Sequence, residues 1–185
     1  MSSFQKTLNN TVVELYIGNL VDVDLDVIII PTNTRLLPSG SVRCDVLRGA
    51  GAKVQLECNW LINQLGHVPD TQAVMTSGGN LKAQKIIHVV GPKLAQKLES
   101  KKLMHATWNS LKLADEKGFT SAGIPSLSKG TYGFTPNICA DVMLPTIKKF
   151  LLEQNKNLKK IDIVLEDEED YQVFSKKLEE ISSTI

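Results

Sequence analysis

Two segments hold the residues whose types and spacing could do chemistry. The first, PTNTRLLPSGSVRCDVLRGAG from Pro31 to Gly51, gathers Ser39, Gly40 and Ser41 just ahead of a helix-like pattern. The second, SLSKGTYGFTP from Ser126 to Pro136, carries Gly130 and Gly133. Small residues let backbone N–H groups approach an anion closely, and a helix beginning directly after the loop adds the positive end of its dipole. A diphosphate suits such a pair of loops. Neither has the GK(S/T) ending of a Walker A loop, and neither matches GxGxxG. Each alone is therefore a weak signal, and the weight comes from two of them in one short chain. His67, His88 and His105 have no metal-ligand spacing, and Cys44, Cys58 and Cys139 form no CxxC pair. No metal, no cofactor and no disulfide framework is expected, and Cys44 reads as an inert cysteine at a helix start. His88, inside a strand-like run, reads as structural, and His67 and His105 read as surface residues.

Elements of alternating type must position the two loops. VVELYI at 12–17 suits a first strand, and DVIII at 26–30 reads as a strand buried on both faces, ending at Pro31. From Val42 to Leu65 the apolar spacing predicts a long helix, or one broken at Gly49 and Gly51. QAVMTS at 72–77 and KIIHVV at 85–90 read as strands joined through the Gly78–Asn80 turn. An amphipathic helix is expected from Lys102 to Lys117, stopped by Gly118. A short strand follows at 121–127, then a helix over Asn137–Leu152 containing Pro145, a strand over Lys160–Leu165, and a last helix with acids at its start. Helices alternating with strands argue an α/β domain with a mixed, largely parallel sheet of about six strands.

Composition narrows the function classes. A chain of 185 residues with 42% hydrophobic and 22% charged residues is one globular domain, with its core expected at about 11–182. A net charge of +1 gives no bulk attraction for DNA or an anionic membrane. No basic stripe with interleaved aromatics is present, so general nucleic-acid binding is not expected, and Lys93, Lys97, Lys101 and Lys102 read as a solvated helix face. The first residues lack a signal-peptide apolar region, and no apolar run approaches membrane-spanning length. A monomer in the cytoplasm is the expectation, with the nucleus or a host cell's cytosol as alternatives.

The order VELYIGNLVDVDLDVIIIPTNTRLLPSGSV…LRGAG, TSGGNLKAQKIIHVVGP and IPSLSKGTYGF resembles the macrodomain family from end to end. Asn33 matches the last Asn of the family's first loop, and Ser39–Val42 its GGGV-like stretch. Arg48–Gly51 match its RAAG-like segment, and Gly78–Leu81 and His88–Pro92 its middle signature. Ser128, Lys129, Gly130, Thr131, Tyr132, Gly133 and Phe134 match its second phosphate loop. The resemblance implies a three-layer α/β/α sandwich whose crest cleft holds ADP-ribose. It further implies that Asn33 binds the distal ribose and that Ser39, Gly40, Ser41, Val42 and Ser128–Gly133 hold the diphosphate. Tyr132 and Phe134 would wall the cleft, and Asn19 and Leu20 would sit at the adenine.

Four departures from the family pattern bear on activity. Asn19 replaces an Asp that reads the adenine amino group, so the acceptor is neutral and weaker. Ile30 replaces the first Asn of the first loop. Arg43 stands where the hydrolase branch carries a water-activating Asp; arginine cannot act as a base, but can pair with a phosphate or carboxylate. Glu166 stands where many members stack an aromatic ring. The expectation is a reader of ADP-ribose or mono-ADP-ribosylated protein with weak or absent catalysis. The alternative is an ADP-ribosyl-protein hydrolase or O-acetyl-ADP-ribose deacetylase, with Asn33 orienting the ribose.

Overall fold

The β-branched run at 27–30 dictates the centre of the molecule. Successive strand side chains point to opposite faces, so a run apolar at every position must be covered on both sides. In the computed structural model, which describes residues 2–92, 99–129 and 133–184, this run forms β3 (Val27–Thr32). Val27 and Ile29 pack into one apolar cluster, Ile28 and Ile30 into another, and all four are fully buried. The two clusters are the two sides of a three-layer sandwich.

The other elements, in chain order, are β1 (Ser3–Leu8), β2 (Thr11–Ile17), a 3-10 turn at Leu20–Asp22, α1 (Ser41–Ala50), α2 (Ala52–Leu65), β4 (Ala73–Ser77), β5 (Lys85–Val90), α3 (Glu99–Glu116), β6 (Ser121–Ile124), α4 (Pro136–Glu153), β7 (Lys160–Leu165) and α5 (Glu168–Ser182). They build one seven-stranded sheet ordered β1-β2-β7-β6-β3-β5-β4. β1–β2 and β4–β5 are antiparallel hairpin pairs at the two edges, and every pairing between them is parallel. Val46, Val54 and Cys58 of α1 and α2 cover one face; Leu103, Phe150 and Phe174 of α3, α4 and α5 cover the other. Trp108 and Phe150 meet edge to face at 5.2 Å, closing α3 on α4. Among the described residues no helix is long and apolar enough to cross a membrane.

The expected elements are present, with three differences. β1 precedes the strand expected to be first, making seven strands and placing Leu8 in the core. Its hairpin turns on Asn9 and Asn10, at φ 45° and 66°. Two left-handed residues in a row make the twist that an antiparallel hairpin needs, and Asn tolerates them. The strand expected over 121–127 ends at Ile124, where the chain turns into the second loop. The long helix is broken at Gly51 alone: its φ of 88° ends α1, and α2 starts at the next residue. Gly49 stays within α1. Pro145 lies inside α4, as expected.

This topology creates a crevice at one place. After β3 the chain crosses to the α1–α2 face; after β6 it crosses to the α4 face. β3 pairs with β6 only at Val27–Ala122 and Ile28–Gly123, so the two strands part before their carboxyl ends. Open α/β sheets bind ligands where adjacent strands send their crossovers to opposite faces. Both loops singled out from the sequence leave the sheet there.

Candidate functional site

The crevice widens into a cleft of two adjoining lobes. The inner lobe encloses about 510 Å³ of space open to solvent at its mouth, between Pro31, Ser39–Arg43, Pro125, Ser126, Lys129, Glu166 and Asp170. The outer lobe, about 760 Å³, is walled by Gly18, Asn19, Leu20, Val42, Asp45, Val164 and Glu166.

The floor of the first loop is built from within. Asn33 Oδ1 accepts from the N–H groups of Arg35 (3.1 Å) and Leu37 (3.0 Å). Its Nδ2 donates to the Leu37 carbonyl (2.9 Å) and to Ser39 Oγ (3.1 Å). An amide has two acceptor and two donor positions, and all are occupied. Asn33 therefore shapes the loop as an Asx turn and does not line either lobe, although the family match places it at a ribose.

Arg43 departs further from expectation. Its side chain points inward, fully buried, rather than toward a phosphate in the cleft. Nε donates to the Leu37 carbonyl (2.9 Å) and Nη2 to the Leu36 carbonyl (2.8 Å). Nη1 lies 2.8 Å from His88 Nδ1. A guanidinium only donates, so His88 Nδ1 must accept; Nε2 then carries the proton and donates to Thr76 Oγ1 at 2.8 Å. The Thr76 hydroxyl passes the chain on to the Ser77 carbonyl (3.0 Å). Burial, reinforced by the Arg43 charge, holds the His88 pKa well below the ordinary imidazole range. His88 is a neutral structural group, and His67 and His105 are exposed, all three as read from the sequence.

With the loop fixed from below, its rim is bare backbone. Gly40 caps α1 at φ 71° and ψ 161°, a conformation almost closed to other residues, and offers no capping side chain. The first-turn N–H groups of α1 therefore open toward the inner lobe, an anion-binding arrangement. Asp45 is held by Arg48 at 3.0 Å and borders only the outer lobe.

The second loop forms the opposite wall. Ser128 sits buried at φ 63°, and the Phe134 N–H donates to its carbonyl at 3.1 Å. Phe134 itself is only 3% exposed and packs into the core beneath the loop, outside both lobes. Lys129 reaches across to the start of α5, pairing with Asp167 at 3.1 Å and closely with Asp170. Burial opposes the Lys129 charge, but the two carboxylates outweigh it and raise its pKa. Glu57, remote from the cleft, caps Ser77 through its backbone N–H (2.8 Å) and hydroxyl. Cys58 and Cys139 are buried, and burial pushes the Cys139 thiol up to about 11, leaving an inert thiol.

Of the residues singled out from the sequence, Asn19, Leu20, Ser39, Gly40, Ser41, Val42, Arg43, Lys129 and Glu166 border the cleft. Asn33, Ser128 and Phe134 lie behind it, and Gly133 (φ 79°) is not among the lining residues. Gly130, Thr131 and Tyr132 lie outside the described residues, as do Lys93 and Lys97. Lys101 is exposed and Lys102 pairs with Asp70 at 2.8 Å. Pro125, Ser126, Val164 and Asp170 line the cleft without having been singled out. Asp170 lies four residues past the expected Glu166 on a helix whose acids read as dipole partners, so its spacing alone carried no signal. Among the described residues no group of His, Cys, Asp and Glu is arranged to hold a metal ion.

Comparison with known proteins decides the family. The Macro domain family model matches residues 29–143, which span both β3 and the second loop. The chain is a macrodomain. A macro domain-containing protein of Listeria monocytogenes is 38% identical over 162 residues, covering 86% of this chain and 92% of its own. A Klebsiella pneumoniae protein named O-acetyl-ADP-ribose deacetylase is 32% identical over 167 residues, covering 89% of this chain and 95% of its own. The Oceanobacillus iheyensis macrodomain solved with ADP superposes at a TM-score of 0.95 with 30% identity, covering 100% of this chain and 98% of that one. The Trypanosoma brucei macrodomain in complex with ADP-ribose is 28% identical with a TM-score of 0.81, covering 89% of this chain and 68% of that one. This macrodomain therefore has the mixed sheet and three layers of a family in which ADP and ADP-ribose complexes are known.

Proposed function

We propose that this macrodomain binds ADP-ribose, free or attached to protein, across the two lobes. The observation that carries the reading is the uncapped start of α1 facing the second loop across the crevice between β3 and β6. That arrangement supplies backbone donors and a helix dipole for a diphosphate without needing a basic surface. The outer lobe, with apolar Leu20, Val42 and Val164 and the Asn19 amide, suits adenine. Asn19 Oδ1 already accepts from the Val21 N–H at 3.0 Å, and its second lone pair serves the adenine amino group. The ADP-ribose and ADP complexes of the Trypanosoma and Oceanobacillus macrodomains support the same ligand class.

The test is calorimetry with ADP-ribose against ADP, AMP and NAD, for the wild type and Ser41→Glu. Ser41 opens α1 and is exposed. An acid there suits the helix dipole, so folding is preserved while a diphosphate in the inner lobe is repelled. Selective ADP-ribose binding that weakens by about tenfold or more in Ser41→Glu is expected. Equal affinity in the folded variant refutes the placement.

A second reading, hydrolysis of ADP-ribose esters, is favoured by the Klebsiella relative's name. Against it, Arg43 is buried and cannot act as a base, and the Asn33 amide is taken up by its own loop. Release of ADP-ribose from modified protein at high enzyme concentration would support turnover; binding without release leaves a reader.

A further inference from the structure

The two lobes share four residues, Ser41, Val42, Pro125 and Glu166. A nucleoside diphosphate places its sugar between base and phosphates. With base in the outer lobe and diphosphate in the inner one, a residue on the shared edge faces that sugar. Glu166 is the charged member of the four, exposed at the end of β7, and among the described residues its carboxylate has no partner.

Behind it, Asp170 lines the inner lobe with a fully buried carboxylate. One oxygen pairs with Lys129, while Oδ1 has no hydrogen-bond partner among the described residues. Ser126 Oγ, in the same lobe, is likewise unpartnered. A buried carboxyl oxygen left without a donor is costly. Asp167 and Asp170 take up Lys129, and among the described residues Glu166 has no ion pair with it.

Resting on the ADP-ribose reading, we infer that Glu166 is a specificity device that reads the hydroxyls of the adenosine ribose and rejects a phosphate on them. Vicinal hydroxyls donate to a carboxylate, the arrangement by which an acidic residue selects an unphosphorylated ribose in dinucleotide-binding folds. A 2′-phosphate brings acceptors in place of donors and sets like charge against Glu166, so the same group attracts one ligand and repels the other. The macrodomain thus takes ADP-ribose derived from NAD and excludes its 2′-phosphorylated counterpart.

The experiment titrates ADP-ribose, its 2′-deoxyadenosine analogue and 2′-phospho-ADP-ribose by calorimetry, at about 0.1 M salt so that adjacent charges remain felt. Wild type is compared with Glu166→Gln, an exposed change that keeps the side-chain shape; thermal melts check folding. The wild type is expected to bind the 2′-phosphate at least about tenfold, and the deoxy analogue about threefold, more weakly than ADP-ribose. Glu166→Gln is expected to narrow the phosphate discrimination by about threefold or more. Wild-type affinities for ADP-ribose and the 2′-phosphate within twofold of each other, or discrimination unchanged in Glu166→Gln, overturn the inference while leaving ADP-ribose binding intact. A folded wild type that binds none of the three ligands refutes the ADP-ribose reading itself, and this inference with it.

Discussion

His88 makes acid stability a direct measure of the network beneath the first loop. The residue is fully buried, its Nδ1 is held by Arg43 and its pKa lies well below 6.5 through burial and the neighbouring guanidinium. In the unfolded chain the imidazole titrates at its ordinary value. Below that pH the unfolded state binds a proton that the folded state refuses, so stability falls as pH falls. The slope approaches about 1.4 kcal/mol per pH unit, and between pH 7.5 and 5 the loss is about 2 kcal/mol. Asp26, Glu57 and Asp167 have pKa values lowered from 3.8, 4.5 and 3.8, so their stabilising share is lost only in more acid solution. Asp162, raised by burial, acts with the opposite sign, which is why the difference between wild type and His88→Gln is the quantity to read. Glutamine can still accept from Arg43 and donate to Thr76, but it does not titrate. The assay is urea unfolding of both proteins at steps from pH 7.5 to 5, comparing midpoints at constant slope. The wild type should lose about 2 kcal/mol more than the variant over this range. Parallel pH profiles would refute the neutral, Arg43-bonded imidazole.

Other perturbations test the remaining joints. Arg43→Met leaves the buried Leu36 carbonyl and His88 Nδ1 without their donor, at about 1–3 kcal/mol each in urea unfolding, in contrast to the near-neutral effect expected for a cleft-facing arginine. Lys129→Met strands the buried Asp170 carboxylate, with a similar cost of about 3–5 kcal/mol, and the double change with Asp170→Leu should recover much of it. Removing residues 1–10 deletes β1 and its buried Leu8; a lower melting temperature and a loss of at least about 2 kcal/mol are expected, whereas an unchanged melt would make β1 dispensable. Gly51→Ala forces a side chain into a φ of 88° at the α1–α2 break and should cost about 1–3 kcal/mol, measured by the same unfolding.

Much of this molecule was legible in its residues alone. The all-apolar run at Val27–Ile30 demands cover on both faces, and helical patterns alternate with strand patterns, so layers and parallel pairing follow from local chemistry. The small residues Ser39–Ser41 ahead of α1 likewise announced an open helix start. β1 was missed because SFQKTL is a polar edge strand with one fully inward position, Leu8; the clue lay in Asn9-Asn10, a turn signal rather than a strand signal. Tertiary structure alone decided where side chains point. Asn33 and Arg43 sit in loop positions that suit ligand contact, yet the Asn33 amide is spent on its own loop and Arg43 turns inward to the buried Leu36 carbonyl and His88. Asp170 and Glu166 come to one cleft with Lys129 although Lys129 lies 41 residues before Asp170 in sequence. Sequence patterns report periodicity and turn chemistry, which are local. Whether a polar group faces solvent, a ligand or another buried group depends on which distant segment folds against it.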